Sequence, residues 1–171
     1  SYNINSKNMS TTQENLMTAF AGESQANRKY LAFAKKAEKE NKKGLAKLFR
    51  VAAEGETIHA LRHLENAGGV KDSLENLKAA IEGETYEFTQ MYPGFIQQAD
   101  QENQAGAKMG FVGANEVEKD HELLFKDALE KNGDIEEKEY YICSVCGHPE
   151  IGEAPDKCPV CGAPKEKFYK F

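Results

Sequence analysis

The sequence contains no tryptophan, and no cysteine ahead of position 143. It has no apolar run approaching the roughly 18 residues of a membrane-spanning helix, so no spanning segment is expected. Proline is scarce: of five, four lie beyond position 148, which leaves Pro93 as the one breaker in a long interior stretch. The net charge of −6 argues against the electrostatic footprint of a nucleic-acid binder. The first ten residues are polar and lack the apolar stretch of a signal peptide, so residues 1–11 read as an N-terminal arm.

What is present fits one ordinary domain plus a small one: 171 residues, 40% hydrophobic and 29% charged. Apolar spacings of three and four predict helices over about 12–41, 44–66, 74–104 and 107–132. Thr11 or Thr12 can cap the first, and Asp72 or Ser73 the third. Gly44 marks the first junction and Gly68-Gly69 ends the second helix. Pro93 is expected to kink the third helix at Met91-Tyr92. The helical domain thus covers 12–133, an acidic linker 134–139, and a Cys- and Pro-rich tail 140–171.

The inward seams of these helices carry carboxylates where a bundle needs apolar groups. The first seam reads Leu16, Phe20, Glu23, Asn27, Tyr30; the second Leu45, Leu48, Ala52, Glu56, His59. The third reads Leu77, Ala80, Glu84, Glu87, Met91, and the fourth Phe111, Ala114, Glu118, His121, Phe125. Burying one ionised carboxylate costs several kcal/mol unless it is paired. Five glutamates converge here and no Lys or Arg shares their seams, so bound cations are the remaining solution. Glu56-Thr57-Ile58-His59 and Glu118-Lys119-Asp120-His121 are both Glu-x-x-His, which aims an oxygen and an imidazole nitrogen at one point of a helix face. Two such pairs plus a Glu from each other helix is the pattern of the ferritin-like di-iron or di-manganese carboxylate bundle. Oxygen-rich ligation with some imidazole suits iron or manganese. Glu54 and Glu116 lie close by but miss the seam, and His63 lies one turn past His59.

The spacing repeats. Glu23 to Glu56 is 33 residues and Glu84 to Glu118 is 34. Each half reads as a helix hairpin with a lone Glu followed by Glu-x-x-His, the product of an internal duplication made unequal by Glu87.

Cys143-Ser144-Val145-Cys146-Gly147 and Cys158-Pro159-Val160-Cys161-Gly162 form two Cys-x-x-Cys-Gly knuckles. Four thiolates hold iron in an electron-transfer site or zinc in a structural ribbon, and spacing leaves both open. Cysteines clustered in this way, with none placed for a disulfide framework, point to a reducing, cytoplasmic setting. The tail is too short to bury much apolar area and needs a metal staple. His148, beside the first knuckle, reads as an exposed loop residue.

The tail resembles rubredoxin through Tyr141-Ile142-Cys143, Cys158-Pro159-Val160-Cys161-Gly162-Ala163-Pro164, Lys165 and Phe168. Together with Ala21-Gly22-Glu23-Ser24, Glu82-Gly83-Glu84-Thr85-Tyr86-Glu87 and Met91-Tyr92-Pro93, the chain resembles the rubrerythrin family over residues 12–171. The resemblance implies an all-α ferritin-like four-helix bundle followed by a small rubredoxin-like domain with a four-cysteine metal site. It implies two irons held by Glu23, Glu56, His59, Glu84, Glu87, Glu118 and His121, and a third held by Cys143, Cys146, Cys158 and Cys161, with zinc or manganese as substitutes. The implied activity is peroxidase: reduction of hydrogen peroxide to water in oxidative-stress protection. Electrons would be relayed through the thiolate iron from a redox partner such as a rubredoxin or an NAD(P)H-dependent reductase. Glu87 and His59 would exchange at one iron with redox state, and Tyr30 and Tyr92 would donate hydrogen bonds to ligand carboxylates. The alternative is a ferritin-like iron-binding or ferroxidase protein.

One geometric constraint predicts a homodimer. Running the second and third helices parallel at a common metal level requires the linker to climb ~25 Å and cross ~10 Å. Residues 67–73 reach only ~24 Å fully extended. Exchange of helix pairs between two chains relieves the shortfall.

Overall fold

The structure is a computed structural model and describes residues 10–171. The expected N-terminal arm therefore lies almost wholly outside the described residues. The chain is mostly helical and divides into two compact units at Lys71–Asp72. No helix among the described residues is long and apolar enough to cross a membrane.

The first unit is a helix hairpin, α1 (Thr12–Lys39) and α2 (Lys43–Asn66). Thr11 caps α1 in a reciprocal box. Its hydroxyl accepts from the Glu14 N–H at 3.1 Å, and the Glu14 carboxylate accepts from the Thr11 N–H at 2.7 Å. The turn between the helices is made by Asn41, whose φ of 58° is a left-handed conformation that Asn tolerates. Gly44, expected at this junction, is the second residue of α2. The interface is built from small residues: Ala34 and Ala37 on α1, and Ala46, Ala53 and Ala60 on α2, are buried. They let the helices approach closely, and Asn27 crosses the gap. Its amide donates to the Ala53 carbonyl and to the Thr57 hydroxyl, each at 2.8 Å.

The second unit begins with α3 (Ser73–Tyr86), capped by Asp72, whose carboxylate accepts from the Glu75 N–H at 2.9 Å. The rod continues through a π-helical segment, Glu87–Met91, into α4 (Tyr92–Gln101). The kink expected at Met91-Tyr92 thus takes a different form. Proline lacks an N–H and crowds the carbonyl four residues back. The segment ahead of Pro93 accommodates this by widening its turns: the Tyr92 N–H donates to the Glu87 carbonyl, five residues back. Helix α5 (Ala105–Glu130) packs antiparallel along this rod, after a turn at Asn103 with φ 55°. Gly106, Gly110 and Gly113 lie within its first turns.

The tail forms a three-stranded antiparallel sheet in the order β2-β1-β3, with β1 Tyr140–Cys143, β2 Pro149–Ile151 and β3 Phe168–Lys170. Its core is Cys143, Cys158 and Ala163, with Cys146, Val160 and Phe168 against them. So small an apolar core confirms the need for a staple.

Replacing Ala53, 1% exposed between α1 and α2, by leucine is expected to cost about 1–3 kcal/mol through overpacking. A lowered midpoint in chemical denaturation checks this.

Candidate metal centres

Of the seven carboxylate and imidazole residues singled out in the helices, the fold gathers six into two clusters of the same composition. In the first hairpin, Glu23, Glu56 and His59 bring one ligand atom each within 4.8 Å of one another; in the second unit, Glu84, Glu118 and His121 do the same. His59 Nδ1 lies 3.1 Å from Glu23 Oε2 and 3.3 Å from Glu56 Oε2. His121 Nδ1 lies 3.0 Å from Glu118 Oε2 and 3.5 Å from Glu84 Oε1. The i, i+3 spacing does this work, setting each Glu over its His on one helix face.

The duplication extends well beyond these ligands. Tyr30, Phe33 and Phe49 form a ring cluster with centroid separations of 6.3, 6.2 and 5.5 Å. Tyr92, Phe95 and Phe111 form its counterpart at 6.2, 6.1 and 5.6 Å. The turns match too: Ala37 and Ala99, both buried, accept the N–H of Lys42 and Gln104 at 2.8 Å beyond the left-handed Asn41 and Asn103. From Glu23, Tyr30 is seven residues on; from Glu84, Tyr92 is eight. The π segment holds this one extra residue, and it restores the register of everything after it. Such widenings are frequent at functional sites, and Glu87 is the first residue of this one.

Glu87 lies outside the tight cluster, yet burial and then the Glu118 charge raise its carboxyl. Burial, with Glu118 and Glu87 nearby, pushes Glu84 up to about 8. Its Oε2 is buried without a hydrogen-bond partner. A carboxylate oxygen left bare in this way is what a cation would satisfy. In the first hairpin a hydrogen bond with Glu56, and then one with His59, lowers Glu23. The bond with Glu23, and then burial, raise Glu56. His59 is raised by both carboxylates. His63, one turn on, adds its charge to the lowering of Glu23.

Tyr30 and Tyr92 were expected to donate to ligand carboxylates. Among the described residues the contacts shown for them are with rings. Burial, with Glu118, Glu87 and Glu84 nearby, raises the Tyr92 hydroxyl and keeps it protonated.

All four cysteines are free and gathered as one cluster. Cys143 Sγ is 3.7 Å from Cys161 Sγ, and Cys146 Sγ is 3.6 Å from Cys158 Sγ. Four sulfurs held about 2.3 Å from one tetrahedral metal stand about 3.8 Å apart, so the donors fit. The knuckles are alike: Gly147 and Gly162, at φ 86° and 75°, donate to the carbonyls of Cys143 and Cys158 at 2.8 and 2.9 Å. Each left-handed turn favours glycine. Burial raises the Cys143 thiol, but the N–H groups of Cys146 and Val145 and the neighbouring sulfurs bring it down to about 7. Burial raises Cys146 and Cys161. A bound cation removes that cost by deprotonating them.

His148 corrects the reading of it as an exposed loop residue. It is buried, with Nδ1 2.8 Å from Asp120 Oδ2 on α5 and Nε2 3.1 Å from Glu150 Oε2 on β2. Glu122 is also buried, accepting from the Thr85 hydroxyl at 3.2 Å and pairing with Lys126. The contacts of His148 with Asp120 and of Glu122 with Thr85 join segments 28 and 37 positions apart, so no periodicity could signal them.

Comparison with known proteins agrees with both halves. A family model described as rubrerythrin matches residues 14–129, and one described as rubrerythrin, rubredoxin-like domain, matches 141–169. The chain is 37% identical to rubrerythrin-2 of Clostridium acetobutylicum, over 94% of this chain and 96% of that one. It is 33% identical to nigerythrin of Nitratidesulfovibrio vulgaris, over 94% and 87%. A solved structure of nigerythrin in a mixed-valence state superposes with a TM-score of 0.55 at 31% identity, covering 99% of this chain and 91% of that one.

Because folding raises Glu84 from 4.5 to about 8, its protonated form is the one the fold favours. The metal-free protein should lose stability as pH rises from about 4.5 to about 8. Denaturant unfolding of the chelator-treated protein across that window checks this, and Glu84→Gln should flatten the dependence.

Proposed function

The chain belongs to the rubrerythrin family, and from that footing we propose that it is a non-haem di-iron peroxidase reducing hydrogen peroxide to water. Membership makes it an oxidoreductase. What carries the finer reading is the pairing, in one chain, of two matching Glu–Glu–His clusters with a four-thiolate module. Glu23, Glu56, His59, Glu84, Glu87, Glu118 and His121 would hold two irons, and Cys143, Cys146, Cys158 and Cys161 a third. Nigerythrin, a relative, has been solved in an all-ferrous state, which favours iron over zinc or manganese here. When bound, the paired irons would supply together the two electrons that turn peroxide and two protons into two waters, and the thiolate iron would restore them singly.

The chain's own residues prepare that chemistry. The five carboxylates among the seven donors would bring the charge of a pair of divalent or trivalent cations close to balance. His59, with a side chain 60% exposed, and Glu87, in the wide π turn, are the two with room to move, which fits their exchange as the site's charge changes. Tyr92 stays protonated beside the carboxylates and can donate to one of them. Free cysteines fit a reducing, cytoplasmic compartment.

The rival is a ferritin-like ferroxidase, and rapid mixing separates the two. The reduced protein should be oxidised by hydrogen peroxide at least about tenfold faster than by dioxygen at equal concentration, a barrier difference of about 1.4 kcal/mol. Equal rates would sink the peroxidase reading.

The homodimer with exchanged helix pairs remains the assembly we propose. The linker between α2 and α3 is as short as the sequence indicates, and Leu45, Leu48, Val51 and Ile58 on α2 are exposed in the chain alone. Adding about a dozen residues to that linker should shift the protein towards monomers with intact sites. Sedimentation with iron analysis reads the outcome.

A further inference from the structure

The last two residues of the first knuckle and His148, which follows them, lie along one line of α5. A Cβ at Gly113 would stand 3.6 Å from Cys146 Cβ, a Cβ at Gly147 would stand 4.0 Å from Val117 Cγ1, and His148 bonds Asp120 at 2.8 Å. Positions 113, 117 and 120 form one helix face by their spacing of four and three. Val117 and Asp120 each immediately precede a member of the carboxylate–imidazole cluster, Glu118 and His121. Helix α5 therefore carries the thiolate knuckle on one face and two members of the carboxylate–imidazole cluster on the next, about 100° round the same turns.

The packing between module and helix is thin. A cleft of about 280 Å³ lies beside His148, lined by Leu123, Leu124 and Pro149, and another of about 390 Å³ lies between Met109, Val112 and Val160. The polar tie is the specific element. Both nitrogens of a buried ring meet carboxylate oxygens, one from the helix and one from the module's own β2. Carboxylates accept and do not donate, so a ring placed between two of them fixes its own orientation and the register of the knuckle at once.

We propose that His148 is a positioning residue that locks the first cysteine knuckle onto α5 and so sets the path by which the thiolate site reduces the carboxylate centre. The lock stands on geometry alone; its consequence for electron delivery rests on the peroxidase reading above. One electron leaves the thiolate-held iron and enters the carboxylate-held pair in each such transfer, with no bond made or broken.

The test uses the iron-loaded, full-length protein and its His148→Phe variant, which keeps a ring of similar shape and removes both nitrogens. Amide exchange in residues 144–151 should rise about tenfold, while the ferric-thiolate absorption is unchanged. After fully reduced protein is mixed with peroxide, oxidation of the carboxylate centre should keep its rate. The following oxidation of the thiolate site should slow about tenfold or more, since loosened docking lowers the fraction of competent contacts. A role in packing alone would not split these two phases. Unchanged exchange overturns the lock; raised exchange with an unslowed second phase overturns its role in delivery. If wild type does not react with peroxide, the functional reading fails while the exchange result still decides the lock. Should His148→Phe lose its thiolate absorption, Asp120→Ala removes the tie from the helix side and leaves the knuckle intact. It must reproduce the raised exchange, or the lock is refuted.

Discussion

Crowding of carboxyl groups at sites that no lysine or arginine shares governs this molecule. Each hairpin turns two glutamates and a histidine towards one point, and in the second unit burial pushes Glu84 up to about 8 and leaves one of its oxygens without a partner. No lysine or arginine answers that charge from the seams, and an isolated buried carboxylate would cost more than the surrounding packing returns. Much else follows from that demand. The small alanine interface of α1 and α2 brings Glu23 and Glu56 within reach of one another, and Asn27 fixes the crossing. The cysteine module obeys the same rule with softer donors: burial raises Cys146 and Cys161, and the sulfur spacing suits a tetrahedral cation.

The two hairpins reuse one design down to the ring clusters and the left-handed asparagines in their turns. They differ by one residue, which the second accommodates as a π segment opening at Glu87. Pro93, just beyond, favours that arrangement because it removes the donor a regular helix would need there. An insertion that would rotate the rest of a helix out of register is thereby confined to a single turn. It leaves an added carboxylate beside an otherwise repeated set of donors.

Much of this was legible in the linear sequence, since helices announce themselves by period. The seams placed Glu23, Glu56, His59, Glu84, Glu118 and His121 on shared faces because three- and four-residue spacing fixes direction on a helix. The knuckles were legible because Cys-x-x-Cys-Gly is a local structure that closes on itself, with glycine supplying the left-handed turn. The 33- and 34-residue spacings even disclosed the duplication and its one-residue excess.

Contacts made between distant segments left no such trace. His148 and Asp120 are 28 positions apart, and nothing periodic joins a loop beside a knuckle to the flank of a helix. Its burial, and the bare oxygen of Glu84, emerge only once the module lies on α5 and α3 lies beside it. The form of the irregularity at Pro93 was hidden for a related reason: proline's local tendency is plain, but the surrounding helix absorbs it by widening a turn. Local chemistry thus selected the donors and their helix faces. Packing selected which donors lost water, because burial is decided by which segments come to lie against them.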